Sequence, residues 1–175
     1  MWLVLPRRKL GLAGALRRRF AKLRGAVAGG AQRADSVARG LRCVGHDGVV
    51  LVHDAARPFV SSSLIRRVVR AARRHGAAVP AVPVADTLKR AATGRQVQGT
   101  VPGAGLWSAQ TPQGFRAALL RRAYRRRGAG ASDDAALVER LGRRVVLVAG
   151  SPLNFKVTLP GDLILARLLA GERTR

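Results

Sequence analysis

Short unbroken apolar runs alternate along this chain with longer stretches whose apolar residues are spaced like a helix face, which predicts strands and helices in turn. Trp2-Leu3-Val4-Leu5, closed by Pro6, reads as a strand. Leu12, Leu16, Phe20 and Leu23 predict a helix over about residues 10–24 with that stripe facing the core. Ala26-Val27-Ala28 reads as a short strand and Gly29-Gly30 as a turn. A helix follows from Ala34-Asp35-Ser36 to about Cys43, with Asp35 or Ser36 as its cap. Residues 48–53 hold Val49-Val50-Leu51-Val52, a run that reads as a strand buried on both faces, as in a parallel sheet. Pro58 prevents its continuation.

Ser61, Ser62 and Ser63 supply the cap of a helix reaching about His75, where Gly76 stops it. Its buried face is Leu64, Ile65, Val68, Val69 and Ala72, opposite Arg66, Arg67, Arg70, Arg73 and Arg74. Ala77 to Val84 is a second buried strand interrupted by Pro80 and Pro83. Residues 85–106 have weak periodicity and read as an excursion, a projecting arm, from which Trp107 to Gln113 return. Phe115, Leu119, Leu120, Ala123 and Tyr124 mark a helix ending near Gly128. Ser132-Asp133-Asp134 caps a short helix carrying Ala135, Leu137, Val138 and Leu141. Arg144 to Ala149 reads as a strand, and Pro160 opens a last helix over about 161–170. The alternation makes the class α/β with a mostly parallel sheet and helices on both faces, and the length makes residues 1–175 a single domain.

Charge changes this picture more than composition does. Lys and Arg number 33 against 9 Asp and Glu, a formal net charge of +24, which favours a polyanionic partner without naming it. Arginine-rich faces at 17–19, 66–74 and 121–127 suit nucleic acid. However, they lie opposite apolar stripes on separate helices, and with aromatics at only 4% there is little to stack bases, so solvated helix faces are the favoured reading. A start with no acid in its first 34 residues resembles an organelle leader, but its apolar stripe favours an ordinary helix. The lone Cys43 excludes an internal disulfide and suits a reducing compartment, and no apolar run is long enough to span a membrane, so the chain is read as cytoplasmic.

Candidate chemistry gathers where the central strand ends, at His53-Asp54-Ala55-Ala56-Arg57-Pro58. Ligands of open α/β sheets bind at the carboxyl ends of strands. A carboxylate there is suited to Mg²⁺ and an arginine three residues on to phosphate. Equally, Asp54 could cap a turn and Arg57 be a solvated charge; the stretch alone leaves both open.

Six segments in order, Gly29-Gly30-Ala31-Gln32-Arg33-Ala34-Asp35-Ser36-Val37, Val50 to Pro58, Asp86-Thr87-Leu88-Lys89-Arg90, Leu106-Trp107 with Gln110-Thr111-Pro112-Gln113, Ser132-Asp133-Asp134-Ala135 and Asn154-Phe155-Lys156-Val157-Thr158, give the chain a resemblance over nearly its whole length. It resembles the 2-C-methyl-D-erythritol 4-phosphate cytidylyltransferase family. The resemblance implies a Rossmann-like nucleotide-diphospho-sugar transferase fold with an arm, about 85–106, exchanged across a homodimer. It implies Mg²⁺-dependent attack of a polyol phosphate on the α-phosphate of CTP, releasing pyrophosphate in the non-mevalonate route to isoprenoids. Asp54 would hold Mg²⁺; Arg57, Thr111, Ser132 and Lys156 would hold the polyol phosphate; Gly30, Ser36 and Ala55 would face cytosine and ribose; Thr87 would reach the partner's site.

The chain also departs from that pattern. The family opens with a strand and a glycine-rich loop carrying an arginine and a lysine, whereas Trp2-Leu3-Val4-Leu5-Pro6 matches a later strand. The expected shortfall is roughly 50 residues, more than one βαβ unit. Gly103 stands where the family has an arginine, and Ser132 replaces a threonine. Since each lost cationic contact to a transition state costs about 3–4 kcal/mol, activity well below that of a complete enzyme is expected. Alternatives are a cytidylyltransferase for another polyol phosphate and a non-catalytic basic domain binding nucleic acid or a partner.

Overall fold

The computed structural model of the chain describes residues 1–93, 95–126 and 131–172. In chain order these form β1 (Trp2–Leu5), α1 (Leu12–Arg19), β2 (Gly25–Ala28), α2 (Arg33–Leu41), β3 (Val49–Val52), α3 (Ser62–His75), β4 (Ala77–Pro83), β5 (Leu88–Ala91), β6 (Val97–Val101), β7 (Trp107–Ala109), β8 (Gln113–Arg116), α4 (Ala117–Arg125), α5 (Asp134–Glu139), β9 (Val146–Ala149) and α6 (Pro160–Glu172). The expected end of α4 near Gly128 lies outside the described residues.

Among the described residues, β3, β8, β4 and β7 lie side by side with β9 added to β4, β1 pairs with β2, and β5 pairs with β6. The α/β class holds, but the sheet is mixed rather than mostly parallel. Only β1–β2 and β4–β9 run parallel among the described pairs; β3–β8, β4–β8, β4–β7 and β5–β6 are antiparallel. A parallel neighbour needs a long crossover, usually a helix. β7 and β8 return from the β5–β6 hairpin through loops, so they enter the sheet antiparallel.

β3 also differs from the expected strand buried on both faces. All four of its residues are half-buried, and β8 is its partner among the described strands. Its side chains still divide by period two. Val50 and Val52 pack against the core cluster that includes Leu41, Phe115 and Val138, while Val49 and Leu51 pack against the cluster of Leu64, Val68, Ala72 and Ala78. Both clusters meet around β4, whose Pro80 falls where the strand leaves β8 at Ala77 and Ala78 and takes up β7 at Ala81. The Pro80 carbonyl accepts the Gln110 N–H at 2.7 Å, so the missing proline donor sits at this hand-over and interrupts neither ladder.

α3 matches its sequence pattern. Ser61 Oγ accepts the Leu64 N–H at 3.2 Å, and Gly76, at φ +95°, closes the helix with its N–H on the Ala72 carbonyl. α1 is shorter than expected and its stripe does not face a core: Leu12 and Phe20 are exposed and only Leu23, beyond the helix, is buried. The backbone turns extended at Phe20, which swings the later apolar residues off the helical face. α2 is capped by Gln32, not by Asp35 or Ser36. Asp35 occupies the third helical position of a capping box and accepts the Gln32 N–H at 3.1 Å.

The arm is a hairpin, β5 with β6, whose residues are almost all exposed. Among the described residues no helix is long and apolar enough to cross a membrane. Two arginines of the basic faces donate to backbone carbonyls, Arg67 to Ala149 and Arg121 to Leu41 and Val44 at 2.6 Å each, and Arg116 outside those faces donates to Arg73. With 9 acids for 33 cations, carbonyl oxygens stand in for carboxylates.

Candidate active site

The loop leaving β3 is bound on one side to the β7–β8 connection. The Asp54 N–H donates to Thr111 Oγ1 at 3.0 Å, and that oxygen lies 3.1 Å from His53 Nδ1. His53 Nε2 lies 3.1 Å from the Arg57 carbonyl, which only accepts, so Nε2 carries the proton and Nδ1 takes the Thr111 hydroxyl hydrogen. Partial desolvation, reinforced by the Arg57 charge, lowers the His53 pKa from 6.5.

On its other side the same loop is bound to the segment after β9. The Val157 N–H donates to the Ala56 carbonyl at 2.8 Å and Arg57 Nη1 to the Asn154 carbonyl at 2.7 Å. Phe59 and Phe155 stack with centroids 5.6 Å apart. Buried Asn154 donates from Nδ2 to the Thr111 carbonyl and to Gln110 Oε1, joining all three loops. These contacts bring Lys156 Nζ within 3.2 Å of Asp54 Oδ2.

The second oxygen, Asp54 Oδ1, faces Arg33 Nε at 3.5 Å. Arg33 Nη2 reaches Asp134 Oδ2 at 2.7 Å, and the Tyr124 hydroxyl donates to Asp134 Oδ1. Asp134 is fully buried at the start of α5, beside Asp133, whose Oδ1 caps Ala136 and whose Oδ2 accepts from Gln113 Nε2. Burial pushes the Asp54 pKa up, but the Lys156 hydrogen bond and the two cationic charges outweigh it and hold the carboxylate below 3.8. Burial likewise works against the Arg33 charge, and Asp134 reverses it, raising the guanidinium above its ordinary value.

The site therefore unites Asp54, Arg57, Thr111 and Lys156 of the expected residues. Gly30 and Ser36 meet each other at the start of α2: the Gly30 N–H donates to Ser36 Oγ at 3.0 Å, and Ser36 Oγ donates to the Gln32 carbonyl. A Cβ on Gly30 would fall 2.2 Å from Asp35 Cβ, so the turn requires glycine. Ala55 is exposed beside Asp54, and Ser132 is exposed just before α5. Thr87 sits exposed at the root of the hairpin, outside the Asp54 network. Sequence reasoning gives Asp134 only a helix-capping part and Tyr124 only a place on a helix stripe, and assigns neither them nor Arg33 or Asn154 to the site. One signal was present: acids are scarce in this chain, and three of the 9, Asp54, Asp133 and Asp134, converge here.

Fold and site together define an α/β nucleotidyltransferase-like protein, with a carboxylate and cations at the carboxyl end of a strand. The family model for IspD, 2-C-methyl-D-erythritol 4-phosphate cytidylyltransferase, matches residues 8–172, and the chain belongs to that family. It is 54% identical over 148 residues to a bifunctional enzyme IspD/IspF of Anaeromyxobacter sp. (strain Fw109-5), covering 81% of this chain and 38% of that protein. It is 44% identical over 164 residues to a 2-C-methyl-D-erythritol 4-phosphate cytidylyltransferase of Halalkalibacterium halodurans, covering 92% of this chain and 72% of that protein. The crystal structure of 2-C-methyl-D-erythritol 4-phosphate cytidylyltransferase from Thermus thermophilus superposes with a TM-score of 0.78 at 52% identity, covering 83% of this chain and 73% of that one. The chain thus spans less than two fifths of the bifunctional relative's length.

Proposed function

We propose that this chain carries the site for transferring CMP from CTP to 2-C-methyl-D-erythritol 4-phosphate with release of pyrophosphate. The observation that carries the reading is the ionised Asp54 held between Lys156 and Arg33 at the end of β3, with Arg57 on the same loop. The substrate phosphate meets Lys156 and Arg57, which lie on two loops bound to each other. Lysine supplies a point charge and arginine a fork, which together neutralise and orient a phosphate nucleophile. Ser132 adds a hydroxyl, and Thr111 fixes the Asp54 loop through its backbone N–H. Gly30, Ser36 and Ala55 present backbone and small side chains to the nucleoside. The exposed hairpin carries Thr87 toward a second copy in a homodimer. The reaction forms a bond between the substrate phosphate oxygen and the CTP α-phosphorus and breaks the α–β phosphoanhydride, so positioning and charge neutralisation supply the catalysis.

Mg²⁺ fits this site in one way. Among the described residues no group of three acidic, His or Cys side chains gathers for a metal. Mg²⁺ is commonly bound through one or two carboxylates with substrate phosphates and waters completing the shell. Asp54 is such a carboxylate, ionised and partly exposed, and it would hold the ion jointly with the triphosphate. When bound, the ion supplies neutralisation of the departing pyrophosphate charge.

The test is pyrophosphate release with CTP, Mg²⁺ and 2-C-methyl-D-erythritol 4-phosphate. It is run on this chain, on a version extended by the family's glycine-rich segment, and on Asp54→Asn of each. Release that disappears with Asp54→Asn supports the reading; no release from the extended version overturns it.

A further inference from the structure

The two cations on Asp54 are not equivalent. Lys156 Nζ contacts Oδ2 at 3.2 Å from a flexible stem, and its side chain is 44% exposed. Arg33 contacts Oδ1 through Nε only, at 3.5 Å, while its Nη2 is committed at 2.7 Å to Asp134. Asp134 is itself immobilised: fully buried, held by Tyr124 at its other oxygen, and seated at the start of α5 beside the Asp133 cap. A buried carboxylate that lost its arginine would be left with an uncompensated charge, a strongly unfavourable state. Arg33 therefore has a reason to stay where it is, and Lys156 has none.

Each oxygen of Asp54 faces one cation, so a divalent cation at this carboxylate meets the repulsion of both and gains when one of them moves away. We propose that Asp134 holds the Arg33 guanidinium back, leaving it a single long contact with Asp54, and that Lys156 is the cation that exchanges. An incoming phosphate draws Lys156 off Asp54, and the freed Oδ2 accepts a divalent cation. This rests on the reading of the site as a phosphate and Mg²⁺ centre. It goes beyond that reading by giving Arg33 and Asp134 a use and by coupling the two ligands. Coupling of this kind is reciprocal: phosphate strengthens cation binding by the factor by which the cation strengthens phosphate binding. The geometry also predicts an unusual sign. Taking away the buried negative charge of Asp134 releases Arg33 onto Asp54, its remaining acidic partner, so cation binding weakens. Removing Arg33 as well restores it.

The experiment measures Mn²⁺ bound to the purified chain by electron paramagnetic resonance, with and without inorganic phosphate, taking Asp54→Asn as background. No turnover is needed, so the result stands apart from the pyrophosphate assay that tests the reading itself. Expected are about fivefold or greater tightening of Mn²⁺ by phosphate in the unaltered chain, and a similar tightening without phosphate in Lys156→Met, where phosphate adds nothing more. Asp134→Asn weakens Mn²⁺ binding, and Arg33→Met combined with Asp134→Asn recovers it. A merely structural Asp134 would show no such recovery. Lys156 is at the surface, so Lys156→Met keeps the test decisive where the Asp134 variants do not fold. The proposal is overturned by Mn²⁺ affinity unchanged in Lys156→Met, by no Mn²⁺ bound above background, or by an Asp134→Asn defect that persists when Arg33 is removed.

Discussion

Lys156 Nζ and Asp54 Oδ2 stand 3.2 Å apart although they come from loops far apart in the chain. Lys156→Met removes the flexible cation while sparing the Ala56–Val157 backbone bond that holds its loop. In the extended version it should lower kcat for pyrophosphate release by about 10²–10³, as expected for one lost charge contact to a transition state. Melting temperature should stay close to that of the parent, because the pair is partly exposed and contributes at most about 1 kcal/mol to stability. Steady-state kinetics and a thermal melt on the same sample check both halves.

Gly30 and Gly103 make opposite predictions. Gly30→Ala would drive a Cβ to within 2.2 Å of Asp35 Cβ and break the capping box of α2, with a cost of about 1–3 kcal/mol visible in denaturant unfolding. Gly103 has open space around its position. Gly103→Arg should therefore leave stability unchanged. Restoring the cation that the resemblance places there should lower the KM for the polyol phosphate in the extended version.

Asn154 is 1% exposed and its amide joins the Thr111 carbonyl to Gln110. Asn154→Ala leaves these acceptors short of a donor and opens a small void. It should cost about 2–3 kcal/mol. The same variant should raise the KM for the phosphate substrate, since the side-chain amide registers the Lys156 segment against the Thr111 loop that holds Asp54.

Asp162 Oδ2 accepts three hydrogen bonds at the start of α6, from the Leu159 and Thr158 N–H groups and from the Thr158 hydroxyl. The backbone bonds, Leu159 first, hold its pKa below 3.8. A carboxylate depressed in the folded state contributes stability above its unfolded pKa and loses it as pH falls through the folded value. Helical circular dichroism followed down through and below 3.8 should show a loss that Asp162→Asn shifts or removes.

Local pattern made most of the elements legible. The α3 face, its Ser61 cap and its Gly76 stop were written in residues within a few positions of each other. The stripe of α1 misled because periodicity reports spacing and not whether a wide enough surface lies beneath; Leu12 and Phe20 face outward. β7 and β8 are not legible as strands: Trp107 to Gln113 read as the return from the arm and Phe115 as part of the α4 stripe. Three- and four-residue strands carry too little pattern, and with them the antiparallel pairings were hidden. The Asp54 loop was recognisable from its own residues and the resemblance around it. Arg33 and Asp134 were not, since their contact joins positions far apart in the chain and neither residue type at its place is unusual. Net charge does not show how each cation is used: Arg67, Arg116 and Arg121 donate to backbone carbonyl oxygens, which no local pattern announces.

The stacked Phe59 and Phe155 rings rivet the strip carrying Arg57 to the strip carrying Lys156. The spacing between the two cations is then set partly by an apolar contact outside the chemistry, alongside the Val157–Ala56 and Arg57–Asn154 hydrogen bonds. Changing ring size at Phe59 or Phe155 should then shift the KM for the phosphate substrate with every charged residue of the site left in place.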